Sequence, residues 1–467
     1  LVRHDADAVA RRAERELPAA LAQLSRYLTV PAISSDAAHA PDVRRLAEHV
    51  RADLEALGLE RARVLSLDGA LPVVAAEWMR AGPDRPTVLV YGHLDLQPVK
   101  GERWTSDPHT ATIRGDRMYA RGAADDMGGW MSHLAAMGAW LGETGALPCN
   151  VRLIVEGEEE SGSANLERYM DAFPDAFESD LMVLTDCENP STEIPGLTVS
   201  LRGLMELEVH VAALDADVHS GLWGGVVPDV SVALVSILAR LFDADGRCTV
   251  GLLDIDAERS AAGWKVPLGA DVIRAGAHLL PGVQPLPDRG RSPAEWVWWQ
   301  PAVTIVATTL PTLDRKKNAL RGEASAVLSI RLAPGQAADV MTAALTAELQ
   351  RDPPGGVRIT VTPRGTPGEG WLYTPRGPAF AAADRAYVKA WGHPLSQVGV
   401  GGSIPFVALF GRRFADHPLI LNGVMDPLTT AHGPNESLHL GVFRKAVLAN
   451  VYLLDELAQL GRDGLRA

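Results

Sequence analysis

The run Glu158-Glu159-Glu160-Ser161-Gly162-Ser163 follows an apolar segment, Val151 to Val155, almost directly. Carboxylates set side by side raise one another's pKa, so such a cluster is costly unless a cation or a catalytic proton transfer offsets the repulsion. Taken alone, a glutamate run is more often a solvated acidic loop. What changes the reading is where the other metal-binding residue types fall. Gly92-His93-Leu94-Asp95 ends a second apolar run, Thr87 to Tyr91, and Asp186, with Glu188 close behind, follows a third, Leu181 to Leu184. A lone His at a strand end is usually structural, but three strand ends that each deliver His or carboxylate are hard to dismiss. The pair Asp125-Asp126 stands just before a helical segment, where a helix N-terminus favours negative charge, although a simple N-cap explains that as well. Far downstream, Thr430-Ala431-His432-Gly433-Pro434-Asn435-Glu436 puts a His in a loop of turn-forming residues.

The three apolar runs are nearly continuous rather than alternating, the pattern of strands buried on both faces of a mainly parallel sheet. Helical segments at about 127–141 and 164–170 separate them, so the texture is α/β. In such a sheet ligands bind in the crevice beyond the carboxyl ends of the strands, which is where all three sets of residues fall. Upstream, residues 8–28 have helical periodicity, with Pro18 expected to break or kink the run. A second helix is expected over 42–57, stopped by Gly58. From Leu201 the texture changes. Leu204, Glu206, Glu208 and His210 alternate with Met205, Leu207, Val209 and Val211, as in a strand with one wet face. A helix at about 229–242, a long Pro/Gly-rich passage through Pro301, strands at 302–307, 326–332 and 357–361, and a helix at 336–349 suggest an α+β sandwich. The expected organisation is a catalytic domain formed by 1–200 and 373–467, with 201–372 inserted as a lid and dimerisation domain.

A chain of 467 residues exceeds one core of usual size, which agrees with two domains. The formal net charge of -14 argues against nucleic acid or an anionic membrane surface as a partner. Cys149, Cys187 and Cys248 have no CxxC spacing, so neither a disulfide framework nor a cysteine zinc site is suggested. The longest apolar stretch, 226–242, is interrupted by Asp229 and Arg240, which excludes a membrane span there. A cytoplasmic location is the default expectation, and Leu1 as first residue leaves a removed upstream segment open.

In six passages the chain resembles the di-zinc metallopeptidases that include carnosinases, cytosolic non-specific dipeptidases, aminoacylases and glutamate carboxypeptidases. They are 92–98, 121–128, 156–163, 218–221, 401–405 and 432–436, in the family's order and rough spacing across essentially the whole chain. The resemblance implies two divalent metal ions per subunit, zinc first, with manganese or cobalt also suited to nitrogen and oxygen donors. His93 and Asp186 would hold one ion, Glu160 and His432 the other, and Asp125 would bridge both. Asp95 would orient His93 by accepting its other ring proton. The peptide joining Asp125 and Asp126 would be cis. Glu159 would be the general base, taking a proton from a water that the metals activate and passing it to the leaving amine. Glu158 receives no role and is expected to face outward.

Asp at the third strand end resembles the dipeptidase branch, whereas aminoacylases and glutamate carboxypeptidases carry Glu there; Glu188 is the competing candidate. Gln97-Pro98 and Gly401-Gly402-Ser403-Ile404-Pro405 point to the same branch. By resemblance His219 would reach across a homodimer, formed through the inserted domain, to stabilise the oxyanion in the partner's site. Its alternative is a His that caps its own backbone. Arg331 would bind the substrate's α-carboxylate, with Gly402 and Ser403 adding backbone N–H groups; the alternative for Arg331 is a surface salt bridge. Met127 replaces the family's usual Lys, the segment 308–321 lacks the Gly-rich character of close dipeptidase relatives, and Trp296, Trp298 and Trp299 read as lid packing, with a dimer contact or a substrate wall as the alternatives. The expected function is hydrolysis of dipeptides or short peptides with a free C-terminal carboxylate. The alternatives are an amidohydrolase of N-acyl amino acids and a non-catalytic metal- or peptide-binding homologue.

Overall fold

The computed structural model describes residues 5–402 and 405–465. Helix α1 (Ala6–Leu28) begins at Asp5, whose carboxylate accepts the Ala8 N–H. It runs through Pro18 without a break, contrary to expectation. Proline removes one helical hydrogen bond, but here the helix packs along two others, and that tertiary contact outweighs the local preference. Helix α2 (Ala40–Leu57) ends at Gly58 with φ 98°, a conformation glycine adopts without a Cβ penalty.

Strands β1 (Glu60–Leu65), β2 (Val73–Trp78) and β3 (Thr87–His93) lead to helix α3 (Met127–Thr144), and β4 (Asn150–Glu156) and β5 (Leu181–Leu184) follow. Next come β6 (Gly196–Leu201), β7 (Gly203–Ala212), helix α4 (Val230–Ala239), three short helices α5 (Ala257–Lys265), α6 (Ala270–Gly276) and α7 (Pro293–Trp298), and strand β8 (Ala302–Thr308). The chain continues through β9 (Glu323–Leu332), α8 (Ala338–Gln350), β10 (Arg358–Gly368), α9 (Pro378–Trp391), β11 (Ser396–Val400), β12 (Leu419–Leu421) and α10 (Leu440–Gly464). The Pro/Gly-rich passage before Pro301 is therefore not structureless: α5, α6 and α7 lie inside it.

The six-stranded sheet has the order β1-β2-β4-β3-β5-β12. The pairings β3/β4, β3/β5 and β5/β12 are parallel, and the two at the β1 edge are antiparallel. The three strands read as buried from sequence, β4, β3 and β5, are adjacent at the centre, with apolar clusters on both faces. Because they are parallel neighbours, their carboxyl ends lie side by side. A separate antiparallel sheet, β8-β9-β7-β10, is built entirely from residues 203–368 and has its own core with α4 and α8. Strand β7 shows strict alternation of buried and half-buried residues, as the sequence predicts. No helix among the described residues is long and apolar enough to cross a membrane.

Candidate metal centre

Three close approaches bring the strand ends together. An ideal Cβ on Gly92 would lie 2.6 Å from Asp126 Oδ2, and one on Gly129 would lie 2.0 Å from Asp126 Oδ1 and 2.5 Å from the Thr185 carbonyl oxygen. Glycine at both positions lets the start of α3 press against the ends of β3 and β5. Asp126 stands at the N-cap position of α3 but does not cap it. Its carboxylate instead accepts the His93 N–H (3.2 Å) and the Thr185 hydroxyl (2.7 Å), tying α3 to both strands. The Asp125–Asp126 peptide is cis.

Two groups of donor atoms result, His93–Asp125–Asp186 and Asp125–Glu160–His432, each with all its atoms within 4.8 Å of one another. Asp125 belongs to both. Its Oδ1 lies 3.2 Å from His93 Nε2 and its Oδ2 3.0 Å from His432 Nε2, so one carboxylate faces both imidazoles. Asp186 Oδ2 is 3.8 Å from His93 Nε2, and Glu160 Oε2 is 3.2 Å from His432 Nε2. Glu159 Oε2 stands 3.9 Å from His93 Nε2. His93, Asp125 and Asp186 are buried, while His432 is exposed on a loop where Thr430, His432 and Asn435 all have positive φ.

The charges are mutually constrained. Burial pushes the carboxyls of Glu159, Glu160 and Asp186 upward, and the negative charge of Asp125 adds to the effect at all three. Burial favours a neutral His93, but hydrogen bonds to Asp125 and Asp95 outweigh it and raise its pKa well above the usual value. Hydrogen bonds to Asp125 and Glu160 push His432 up to about 11. Crowded carboxylates with two imidazoles and no thiolate form a donor set for divalent cations, which would take over the role of the shared protons. The residues present fit such ions.

The supporting contacts refine several expectations. The nearest acceptor for His93 Nδ1 is the Asp95 backbone carbonyl, at 3.1 Å, with the Asp95 carboxylate at 3.4 Å. That carboxylate accepts the N–H groups of Glu159 and Glu160, at 3.1 and 3.0 Å, and so fixes the turn that presents both glutamates. Glu158 does not face outward. It is buried, accepting the N–H groups of Asn165 (2.8 Å) and Leu71 (3.1 Å), because the turn after β4 rolls it beneath the loop. Gln97 donates to Glu160 Oε2 at 2.7 Å.

Sequence reasoning passed over Glu436 and Arg121 as individual residues. Glu436 Oε1 accepts the N–H groups of Gly122 (3.0 Å), Ala124 (3.2 Å) and Asp125 (3.2 Å), and its Oε2 pairs with Arg121 at 2.9 Å. Arg121 also forks onto Glu102. A buried Arg and Glu clamp the loop that carries Asp125. Both lie inside the quoted passages 121–128 and 432–436, which was the available signal.

The remaining candidates lie elsewhere. Glu188 is in neither donor group. His219 is exposed, and its Nδ1 accepts the Gly221 N–H at 3.0 Å, the self-capping contact. Arg331, half-buried on β9, has its pKa lowered by burial. Its charge reaches Arg202, whose pKa burial, with that charge, brings down to about 10. Arg202 Nε donates to the Gly401 carbonyl at 2.8 Å, which places its guanidinium at the Gly401-Gly402 turn. Ser403 lies outside the described residues. Trp299 donates to Ser200 Oγ and Trp298 packs edge-on against it; Trp296 is held by Arg247 and the Asp288 carbonyl. Met127 is buried in the core.

Residues 89–456 match peptidase family M20/M25/M40. The chain is 33% identical to the cysteinylglycine-S-conjugate dipeptidase of Corynebacterium striatum, covering 86% of this chain and 87% of the relative. It is 27% identical to the Cys-Gly metallodipeptidase of Schizosaccharomyces pombe, covering 94% and 95%. Among solved structures, human carnosine dipeptidase 1 superposes with a TM-score of 0.82 at 24% identity, over 97% of this chain and 99% of that one.

Proposed function

We propose that this chain, which belongs to peptidase family M20/M25/M40, hydrolyses dipeptides with a free C-terminal carboxylate in a metal-dependent reaction. The observation that carries the reading is Asp125, whose two oxygens face His93 and His432 in two donor groups that share it. His93 and Asp186 would hold one ion and Glu160 and His432 the other, with zinc the best match to imidazole and carboxylate donors. Bound there, the cations supply a lowered pKa for water and a polarised scissile carbonyl.

The protein's own groups do the rest. Glu159, its backbone pinned by Asp95, takes a proton from the attacking water and gives it to the leaving amine. The raised pKa of its carboxyl suits a group that must hold a proton between the two steps. Arg331 and Gly402 bind the substrate carboxylate; the proximity of Arg202 makes that region strongly cationic. His219 serves the site of a second subunit in a homodimer. Leu222, Trp223 and Val226 beside it are at least half exposed, an apolar patch of the kind that pairs between subunits.

A panel of dipeptides and their N-acetyl forms, assayed with zinc, manganese and cobalt, tests the reading. Cys-Gly, its S-conjugates and β-Ala-His enter the panel from the names of the relatives. Faster turnover of the acetylated set would favour the amidohydrolase instead. Glu159→Gln is expected to abolish turnover while metal content stays near two ions per chain; retained activity would remove Glu159 from its role.

A further inference from the structure

A cavity of about 380 Å³ adjoins the metal centre, bounded by α6, α7, β11 and the segments that follow Asp186 and precede His432. Its walls are mainly apolar: Val266, Val272, Ile273, Val297, Trp298 and Val398 line it. Two carboxylates also line it, Glu188 and Asp426, and no Lys, Arg or His does among the described residues. Asp426 Oδ1 accepts from Arg117 and from the Leu428 N–H, and only its Oδ2 lacks a partner. Glu188 is different. Among the described residues its carboxylate has no hydrogen bond or ion pair, and it is exposed on the cavity wall.

Its placement is fixed by the backbone. Asp186 bridges to Gly423 and Glu188 to Met425, so the chain delivers the first carboxylate to the donor group and the second to the cavity. Burial first, and then the negative charges of Asp125 and Asp426, raise the pKa of Glu188, so a bound cation would favour its charged form. An exposed carboxylate with no fixed partner on an otherwise apolar wall can pair with a cation that enters the cavity. A substrate carboxylate would be repelled there, and the Arg202 guanidinium, on which the charge of Arg331 acts, stands at the Gly401 turn.

We infer that this cavity takes the amino-terminal residue of the substrate, with Glu188 binding the α-ammonium group and the apolar wall a bulky apolar side chain. Glu188 is thus a specificity-determining residue, and the substrate class is dipeptides with a free amino terminus and a large apolar first residue. The inference rests on the dipeptidase reading of the adjoining site.

The test compares wild type with Glu188→Gln, an isosteric change that removes charge where no contact is lost. The ratio of kcat/KM for Phe-Gly to that for 3-phenylpropionyl-glycine, which lacks only the amine, is expected to fall about 10- to 100-fold in the variant. Val272→Trp, which fills the apolar part, is expected to lower the ratio of Phe-Gly to Gly-Gly at least about fivefold. Calorimetry with the metal-loaded enzyme supplies an independent readout: L-phenylalaninamide should outbind 3-phenylpropanamide, and Glu188→Gln should remove the difference. Ratios unchanged within about twofold in Glu188→Gln, or a loss confined to Lys-Gly relative to norleucyl-Gly, overturn the proposal. If wild type turns over no dipeptide, the dipeptidase reading fails, and the calorimetry alone decides the pocket.

Discussion

Replacing Glu436 with Gln probes whether the metal centre depends on a clamp that touches neither ion nor substrate. Glu436 is fully buried and Arg121 is 1% exposed, so no water replaces a lost contact. The amide keeps the shape but turns one oxygen into N–H2. That group must face either the guanidinium or the three N–H groups of Gly122, Ala124 and Asp125. Removing one partner of a buried pair costs about 3–5 kcal/mol. Glu102 still forks onto Arg121, so we expect the low end of that range, about 3 kcal/mol, in denaturant titrations of the metal-free protein. The Asp125 loop would lose its anchor, and groups that hold metal ligands from behind are worth about 10- to 100-fold in affinity. Zinc titration against a competing chromophoric chelator measures this directly. A variant with wild-type zinc affinity and stability within about 0.5 kcal/mol would show that the Asp125 loop is held by other means.

Glu158→Gln is expected to cost about 1–3 kcal/mol, because the amide cannot accept from both Leu71 and Asn165; kcat/KM at saturating metal should change little, and comparing denaturation with kinetics checks this. The buried His133 has its pKa brought down to about 3 by burial alone. Its folded pKa lies below the unfolded value, so the stability it contributes is complete above pH 6.5 and is lost as pH falls from 6.5 toward 3. At about 1.36 kcal/mol per unit, roughly 2–3 kcal/mol should be gone by pH 4.5. His133→Leu should flatten that part of the stability profile, and an unchanged profile would mean that His133 is hydrated in the native state.

The central strands and the donors at their ends were legible because the signals are local. Continuous apolar runs fix a buried strand, and the residue types that follow fix what chemistry the strand end offers. The dipeptidase branch rested first on Asp186, a single residue within a strand-end signal, with Gln97-Pro98 and the passage 401–405 pointing the same way. What sequence did not give were the directions of side chains within a motif and pairings across long separations. Glu158, Glu159 and Glu160 are consecutive, yet one is buried under a loop, one approaches His93 and one approaches His432. A tight turn rotates each by a large angle, and the turn is set by Asp95, more than sixty residues earlier. Pro18 was read from its local preference, and the packing of α1 overrode it. Composition and spacing determined which groups this protein brings to a strand edge. The tertiary structure alone decided that Glu436 clamps Asp125 and that Glu188 turns away into an apolar cavity, because both depend on which distant backbone each carboxylate meets.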